Sequence, residues 1–384
     1  MANITAAAEF NKLFNKQPVK EYFCPGWVNL LGEHTVQNGG FLISCAVGMG
    51  TYLLLALNND GLLRLRSLNY QEALDIPIGV PYREINGLWY NKSLAVLSRF
   101  SAKGHQLTGG LDILYFSDLP FAMELISTSS IEIVTAFGLN ELFNTNFSKD
   151  ELMNLADLYT GKISWLAATH SVKDAALLIN GQTGEHNLVS LNLGDYCLAI
   201  ISAKRQRSQS ESVYNERAAD CNAALACLQP ELGIDNLCQI DTVTLHWYKY
   251  LITDENIFKR ALHVVEENDR VKAAAELLAQ GDMEAFGELM YQSHQSLKNL
   301  YGVSSVELDT IAEYCRFYKG VIGARMAGYG FGSGVIALVK TDAFAGFKED
   351  MISYYTDLIG YPPTVHQTSV GSGIEELIKL NSQL

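Results

Sequence analysis

The sequence predicts an α+β protein built as two domains. A chain of 384 residues exceeds one ordinary hydrophobic core. Hydrophobic residues at 48% and charged residues at 18% describe a well-packed globule. Short strand-like runs are interleaved with longer helical segments, which argues for α+β rather than a doubly wound parallel sheet. The expected division is 1–180 and 181–384.

Taken in order, MANITAAAEFNKLFNKQPVKEYF has helical periodicity but no long apolar core, so it is not expected to be a signal peptide. CPGWVNLLGEHTVQNGG (24–40) runs from a Pro25-Gly26 turn, through an apolar strand, to a second turn at Asn38-Gly39-Gly40. Glu33 and His34 follow that strand, as a receptor for a polar, sugar-like ligand would place them. Strands are predicted at 51–59, 62–68, 109–117, 186–192 and 196–202. Helices are predicted at 91–103, 129–144, 149–169 and 212–228. A longer one starts near Ile257 and stops at Gly281, and another covers DMEAFGELMYQSHQSLKNLYG (282–302). VIGARMAGYGFGSGVIALVK (321–340) is a glycine-dense turn feeding an alternating strand.

Charge and composition exclude several functions. A net charge of −14 opposes nonspecific binding to nucleic acid, whose phosphates demand a positive field. The compact basic cluster Lys204-Arg205-Gln206-Arg207 reads as a solvated loop. Seven cysteines without a Cys-x-x-Cys pair read as reduced thiols, and eight histidines without a His-x-x-x-His pair give a zinc site little support. No apolar run is long enough for a bilayer, and no membrane association is expected. A cytoplasmic location is expected.

Two segments are candidates for ligand contact. GYGFGSG (328–334) lets backbone approach a ligand, though it opens a strand and is not a dinucleotide fingerprint. In LPFAMELISTSSIEIV (119–134), Ser127, Thr128, Ser129 and Ser130 cluster before a helix, whose N-terminus is an anion site or a plain cap.

With the 24–40 stretch, these segments resemble the galactokinases, a branch of the GHMP small-molecule kinases, nearly end to end. The first is similar to the galactokinase signature, usually written with Arg at the Trp27 position and Asp-Tyr at Val36-Gln37. RALHVVEENDRV, FGELMYQSHQSL and VSSVELD resemble stretches typical of galactokinases. GARMAGYGFGSG resembles the glycine-rich third motif, with Ala327 where Thr or Ser is usual. The resemblance implies mixed and antiparallel sheets with helices, a cleft site between two domains, and ATP- and Mg²⁺-dependent phosphorylation of galactose at its anomeric hydroxyl. It implies sugar contacts at Glu33, His34, Val36 and Tyr214, and nucleotide contacts at Met123, Glu124, Ser127 and Thr128, with Thr128 the magnesium ligand. The catalytic pair it implies is Asp174, in HSVKDAALLING, and Trp27.

Several of these positions depart from the family pattern. Ala122, Met123 and Glu124 replace phosphate-loop glycines, and two like charges ~4 Å apart repel by roughly 4 kcal/mol at a surface-like dielectric. Trp27 carries no charge where the family's Arg stabilises the reacting groups, and Val36 removes a hydroxyl partner. Beside Asp174, Ser171 and Ala175 replace the family's Gly and Gln. The expectation is a galactokinase-like protein, weak or inactive as a kinase, acting as a sugar-binding or regulatory module. The alternative is an active galactokinase or related sugar kinase using altered contacts. A role as a partner subunit for another enzyme of sugar metabolism is the third.

Overall fold

The structure is a computed structural model that describes residues 2–83, 87–120, 124–157, 161–203, 210–328, 330 and 334–377, with 2–5, 124–128 and 210–211 described by backbone alone. The elements run α1 (Ala2–Phe14), β1 (Lys20–Leu31), β2 (Phe41–Asn58), β3 (Leu62–Ser67), β4 (Leu74–Pro77), α2 (Asn91–Ala102), β5 (Gly110–Ser117), α3 (Glu124–Leu142), α4 (Lys149–Ala156) and α5 (Lys162–His170). They continue with β6 (Ala175–Asn180), β7 (His186–Ser190), β8 (Tyr196–Ser202), α6 (Ser210–Leu232), α7 (Thr242–Trp247), α8 (Glu255–Gln280) and α9 (Met283–Ser296). Last come α10 (Val306–Phe317), β9 (Val321–Ala327), β10 (Gly334–Lys340), α11 (Phe344–Ile359), β11 (Thr364–Thr368) and β12 (Glu375–Glu376).

Two sheets organise the molecule. The first has the order β12-β1-β2-β5-β3-β4, with the β6–β7 hairpin joined to the start of β2. Its β3–β5 pairing is parallel and the others are antiparallel. The second sheet, β11-β8-β10-β9, is wholly antiparallel. This is the mixed α+β architecture expected.

The expected boundary at 180/181 has a definite place in this topology. It falls inside the β6–β7 hairpin, whose ladder pairs Ile179 with His186 and Ala175 with Ser190. The first sheet therefore keeps the chain through Ser190. It also recovers the chain later, because residues 369–377 form a strap across it. Gly371 N–H donates to Ala46, Gly373 N–H to Ser171 and Leu377 N–H to Glu21. Tyr22 and Phe23 pair with Glu376 and Glu375.

A register shift between Pro25 and Trp27 exchanges the faces of β1, so one strand builds two cores. Tyr22, Cys24 and Trp27 pack with Leu53, Leu55, Ile131 and Trp165, under α2–α5. Val28 and Leu30 instead join Ile43 and Cys45 against Leu198, Ile200 and Ile336 of the second sheet and Val271, Phe286 and Met290 of α8 and α9. The junction between the halves is thus an apolar core in its own right. A third core lies between the second sheet and α6, α8, α10 and α11.

Helix ends follow local chemistry. Asp254 caps α8 by accepting from Asn256 and Ile257 N–H, and Gly281 closes it in the left-handed region. Ser148 and Glu151 form a capping box at α4. The single helix predicted at 149–169 is two, because Gly161 takes φ 84° and donates its N–H to the Asp157 carboxylate. Conversely, α3 starts at Glu124, five residues before its predicted start, so Ser127–Ser130 lie within the helix and not ahead of it. A glycine-free Glu-Leu-Ile run favours that extension, and Glu124 at its first turn suits the helix dipole. All seven cysteines are unpaired. Among the described residues, no helix is long and apolar enough to cross a membrane.

Candidate active site

The signature stretch makes a tight reversal between β1 and β2. Gly32 has φ 99°, and a Cβ there would sit 2.6 Å from the Leu42 backbone, so no other residue fits. His34 also lies in the left-handed region, at φ 67°, a conformation uncommon outside glycine. The Thr35 hydroxyl donates across the reversal, 2.8 Å from the Gly32 carbonyl and 2.7 Å from that of Phe41. Asn38 Nδ2 donates to the His34 carbonyl at 3.0 Å.

Glu33 is buried where the two halves meet. Its Oε1 accepts the Gly328 N–H at 2.9 Å and lies 3.6 Å from a guanidinium nitrogen of Arg325, which has no exposed surface. Arg325 also donates to the Asn29 carbonyl at 2.7 Å. The His34 ring packs against Tyr301, centroids 4.4 Å apart, and 6.0 Å from half-buried Tyr214 on α6. Burial first, then the charges of His263 and Arg325, holds the His34 imidazole down to about 3, so it is neutral at pH 7.

Residues of α8 and α9 buttress this turn. Glu267, fully buried, accepts the Gly32 N–H at 2.9 Å, the Ser293 hydroxyl at 2.7 Å and Arg270 Nε at 2.8 Å. Burial alone would raise its carboxyl, but Arg270, His263, Arg325 and that N–H bring it down to about 2. One helical turn earlier, His263 places Nε2 3.3 Å from the Glu33 carbonyl and Nδ1 2.8 Å from Ser296 Oγ. Burial pushes His263 down to about 3, which fits a neutral ring protonated at Nε2.

The structure therefore brings Glu33, His34 and Tyr214 together. Val36 opens the short 3₁₀ turn beside them, half-buried and packed toward the Trp27 core, close to Gly181. Trp27 itself is buried in that core, 7% exposed, on the other face of β1 from Val28 and Leu30. Asp174 is separated from the others. It is exposed, at φ 58°, in the turn that opens β6. The far end of β6 is the one that meets the signature turn, through Gly181 N–H to the Gly40 carbonyl. Seven residues of strand put Asp174 roughly 20 Å from that contact. Helix α5 does reach this end, through Lys162 Nζ on the Thr183 carbonyl, but its sequence KISWLAATH holds no carboxylate.

Of the nucleotide candidates, Met123 lies outside the described residues, as do the side chains of Glu124, Ser127 and Thr128. Among the described residues, no three His, Cys, Asp or Glu side chains converge as a metal centre. A groove of about 740 Å³ lies elsewhere, between α8, α9 and α10, lined by Arg270, Tyr291 and Phe317 among others. Sequence reasoning missed His263, Glu267, Ser293 and Arg325. The His263–Glu267 spacing of four residues, on a helix face otherwise filled by Phe258, Ala261, Val264 and Val271, was the available signal.

Comparison with known proteins bears on this geometry. The model of the galactokinase galactose-binding signature matches residues 8–57, and that of the GHMP kinases C terminal matches residues 274–355. A galactokinase of Staphylococcus carnosus is 36% identical over 378 residues, covering 96% of this chain and 97% of its own. This chain belongs to the galactokinase family. Another family member, from Clostridium tetani, is 35% identical with 96% of each chain covered. The crystal structure of Lactococcus lactis galactokinase complexed with galactose superposes with a TM-score of 0.88 at 31% identity, covering 98% of this chain and all of that one. Methanococcus jannaschii mevalonate kinase shares the fold, with a TM-score of 0.60 at 16% identity over 92% of this chain and 98% of its own. The galactokinase signature thus coincides with the β1–β2 reversal that carries Glu33 and His34.

Proposed function

We propose that this protein binds galactose or a closely similar hexose at the Glu33–His34 turn and phosphorylates it with ATP. Likeness to relatives named galactokinase along almost the whole chain supports the reaction, and the galactose complex of the Lactococcus lactis protein supports the sugar. The observation that carries the reading is the setting of Glu33. A carboxylate pinned by the Gly328 N–H beside Arg325, with Asn29 Nδ2 3.4 Å from its Oε2, keeps lone pairs for sugar hydroxyls next to the His34 ring. ATP is the phosphoryl donor in this reading, and Mg²⁺ would neutralise charge on the transferring group. Thr128, on the first turns of α3, is the candidate magnesium ligand, with Ser127 beside it.

A second reading, sugar binding without transfer, is favoured by Trp27 in the apolar core and by a helix α5 without a carboxylate. An ADP-release assay on galactose and a hexose panel, run beside calorimetric titration of the same sugars, separates the two. An ordinary turnover of about 10 s⁻¹, reduced about a hundredfold for a missing cationic contact, gives about 0.1 s⁻¹ as the expected rate. Saturable binding with no turnover selects the second reading. No binding of any hexose removes both.

A further inference from the structure

We propose that Glu267 is a positioning residue for sugar recognition: from α8 it holds the Gly32–Glu33–His34 turn in its receiving shape, with Arg270 bonded to its second oxygen. The proposal rests on the sugar reading of that turn. Glu267 has no exposed surface, so it acts through the backbone it holds.

The turn needs holding. Glu33 sits between two left-handed residues, Gly32 and His34, and the second of these carries a side chain that disfavours the conformation. Two bonds from one face of α8 pin the backbone on either side of the Glu33 side chain. Glu267 accepts from Gly32 N–H before it, and His263 Nε2 donates to the Glu33 carbonyl after it. Both bonds span more than 225 residues of sequence, so they join the N-terminal signature to the C-terminal helices directly.

The chemistry requires a carboxylate. Three donors converge on Glu267: Gly32 N–H and the Ser293 hydroxyl on Oε1, and Arg270 Nε on Oε2. A glutamine has one acceptor oxygen and one NH₂, so either orientation sets a donor against a donor. A buried carboxylate–guanidinium pair adds little net stability over well-packed apolar residues. What it supplies here is a fixed direction for Gly32 N–H, and through it the aim of Glu33.

The test is calorimetric titration of galactose and of ATP–Mg²⁺ with wild type, Glu267→Gln and Ser293→Ala, well below each unfolding midpoint. Glu267→Gln should weaken galactose about tenfold, the equivalent of one charged hydrogen bond, and leave nucleotide affinity within about twofold. Ser293→Ala, which removes one of three donors, should weaken galactose about threefold in the same direction. A folded Glu267→Gln protein that binds galactose as wild type does, with only its melting point lowered, overturns the proposal. If Glu267→Gln fails to fold, Ser293→Ala decides alone. If wild type binds no hexose, the sugar reading has failed on its own. Ring and amide resonances of His34 then judge the positioning claim: they must shift in the variant, and unmoved signals overturn it.

Discussion

Glu33 and Trp27 lie six residues apart on one run of chain, yet they belong to different environments. Past the end of β1, Glu33 meets Gly328 and Arg325 from the C-terminal half, and its carbonyl meets His263. Within β1, Trp27 faces the helices of the N-terminal half, in a core with Leu42, Ile131 and Trp165. The register shift between Asn29 and Leu31 and the left-handed turn at Gly32 separate them: the strand is absorbed into packing while the turn beyond it faces the C-terminal half. The Glu33 turn is held by polar bonds from the C-terminal half, whereas Trp27 is held by apolar packing within the N-terminal half.

That contrast can be broken or sharpened experimentally. Glu33→Ala leaves Arg325 buried beside an empty partner, and should cost about 4 kcal/mol in urea unfolding and abolish sugar binding. A loss under about 1 kcal/mol would mean that the turn is not held as a charged unit. Acid should act nearly as strongly. His34 faces His263 and Glu267 from α8, Arg325 from β9 and Arg217 from α6, while His263 faces Glu267, Arg270 and Arg325. Both folded-state values, about 3, lie below the free imidazole value of 6.5, so the unfolded chain takes up protons that the folded chain refuses. Stability is therefore complete above pH 6.5 and falls as pH drops toward 3. Between pH 6.5 and 5 the two rings together should cost about 3 kcal/mol, read as a falling melting point, and His34→Gln should remove about half of it.

Trp27→Arg tests the other environment. A cation placed in that core should destabilise by about 3 kcal/mol and leave turnover unimproved. A gain in ADP release would show that residue 27 reaches the reacting groups after all. The smallest effect belongs to Asp174. Asp174→Gly relieves a left-handed residue, so stability should rise by less than about 1 kcal/mol, with galactose affinity and turnover within about twofold of wild type. A tenfold loss of turnover would return Asp174 to the site.

Legibility in the sequence followed the range of the interactions. Gly281 ends α8 as read, because a C-terminal glycine acts locally. Glu33 and His34 stood out because turn glycines and an apolar strand frame them within 17 residues. Burial of Trp27 in its strand was likewise open to local reading. Asp174 was not, since spacing from Gly181 cannot distinguish a helical carboxylate from a residue in a positive-φ turn. Ser127–Ser130 read as a cap because nothing local announces that α3 begins at Glu124. Glu267 and His263 escaped notice because their partners lie across the fold, and a polar residue on a helix does not announce what it will bond.

The strap at 369–377 has a consequence for how the molecule comes into being. Tyr22 and Phe23 of β1 are translated long before Glu376 and Glu375, the residues that border them. Throughout synthesis that border of β1 stays open, a ready seam for another nascent chain. Only when the ribosome has delivered Glu375 and Glu376 can that border of the sheet be sealed.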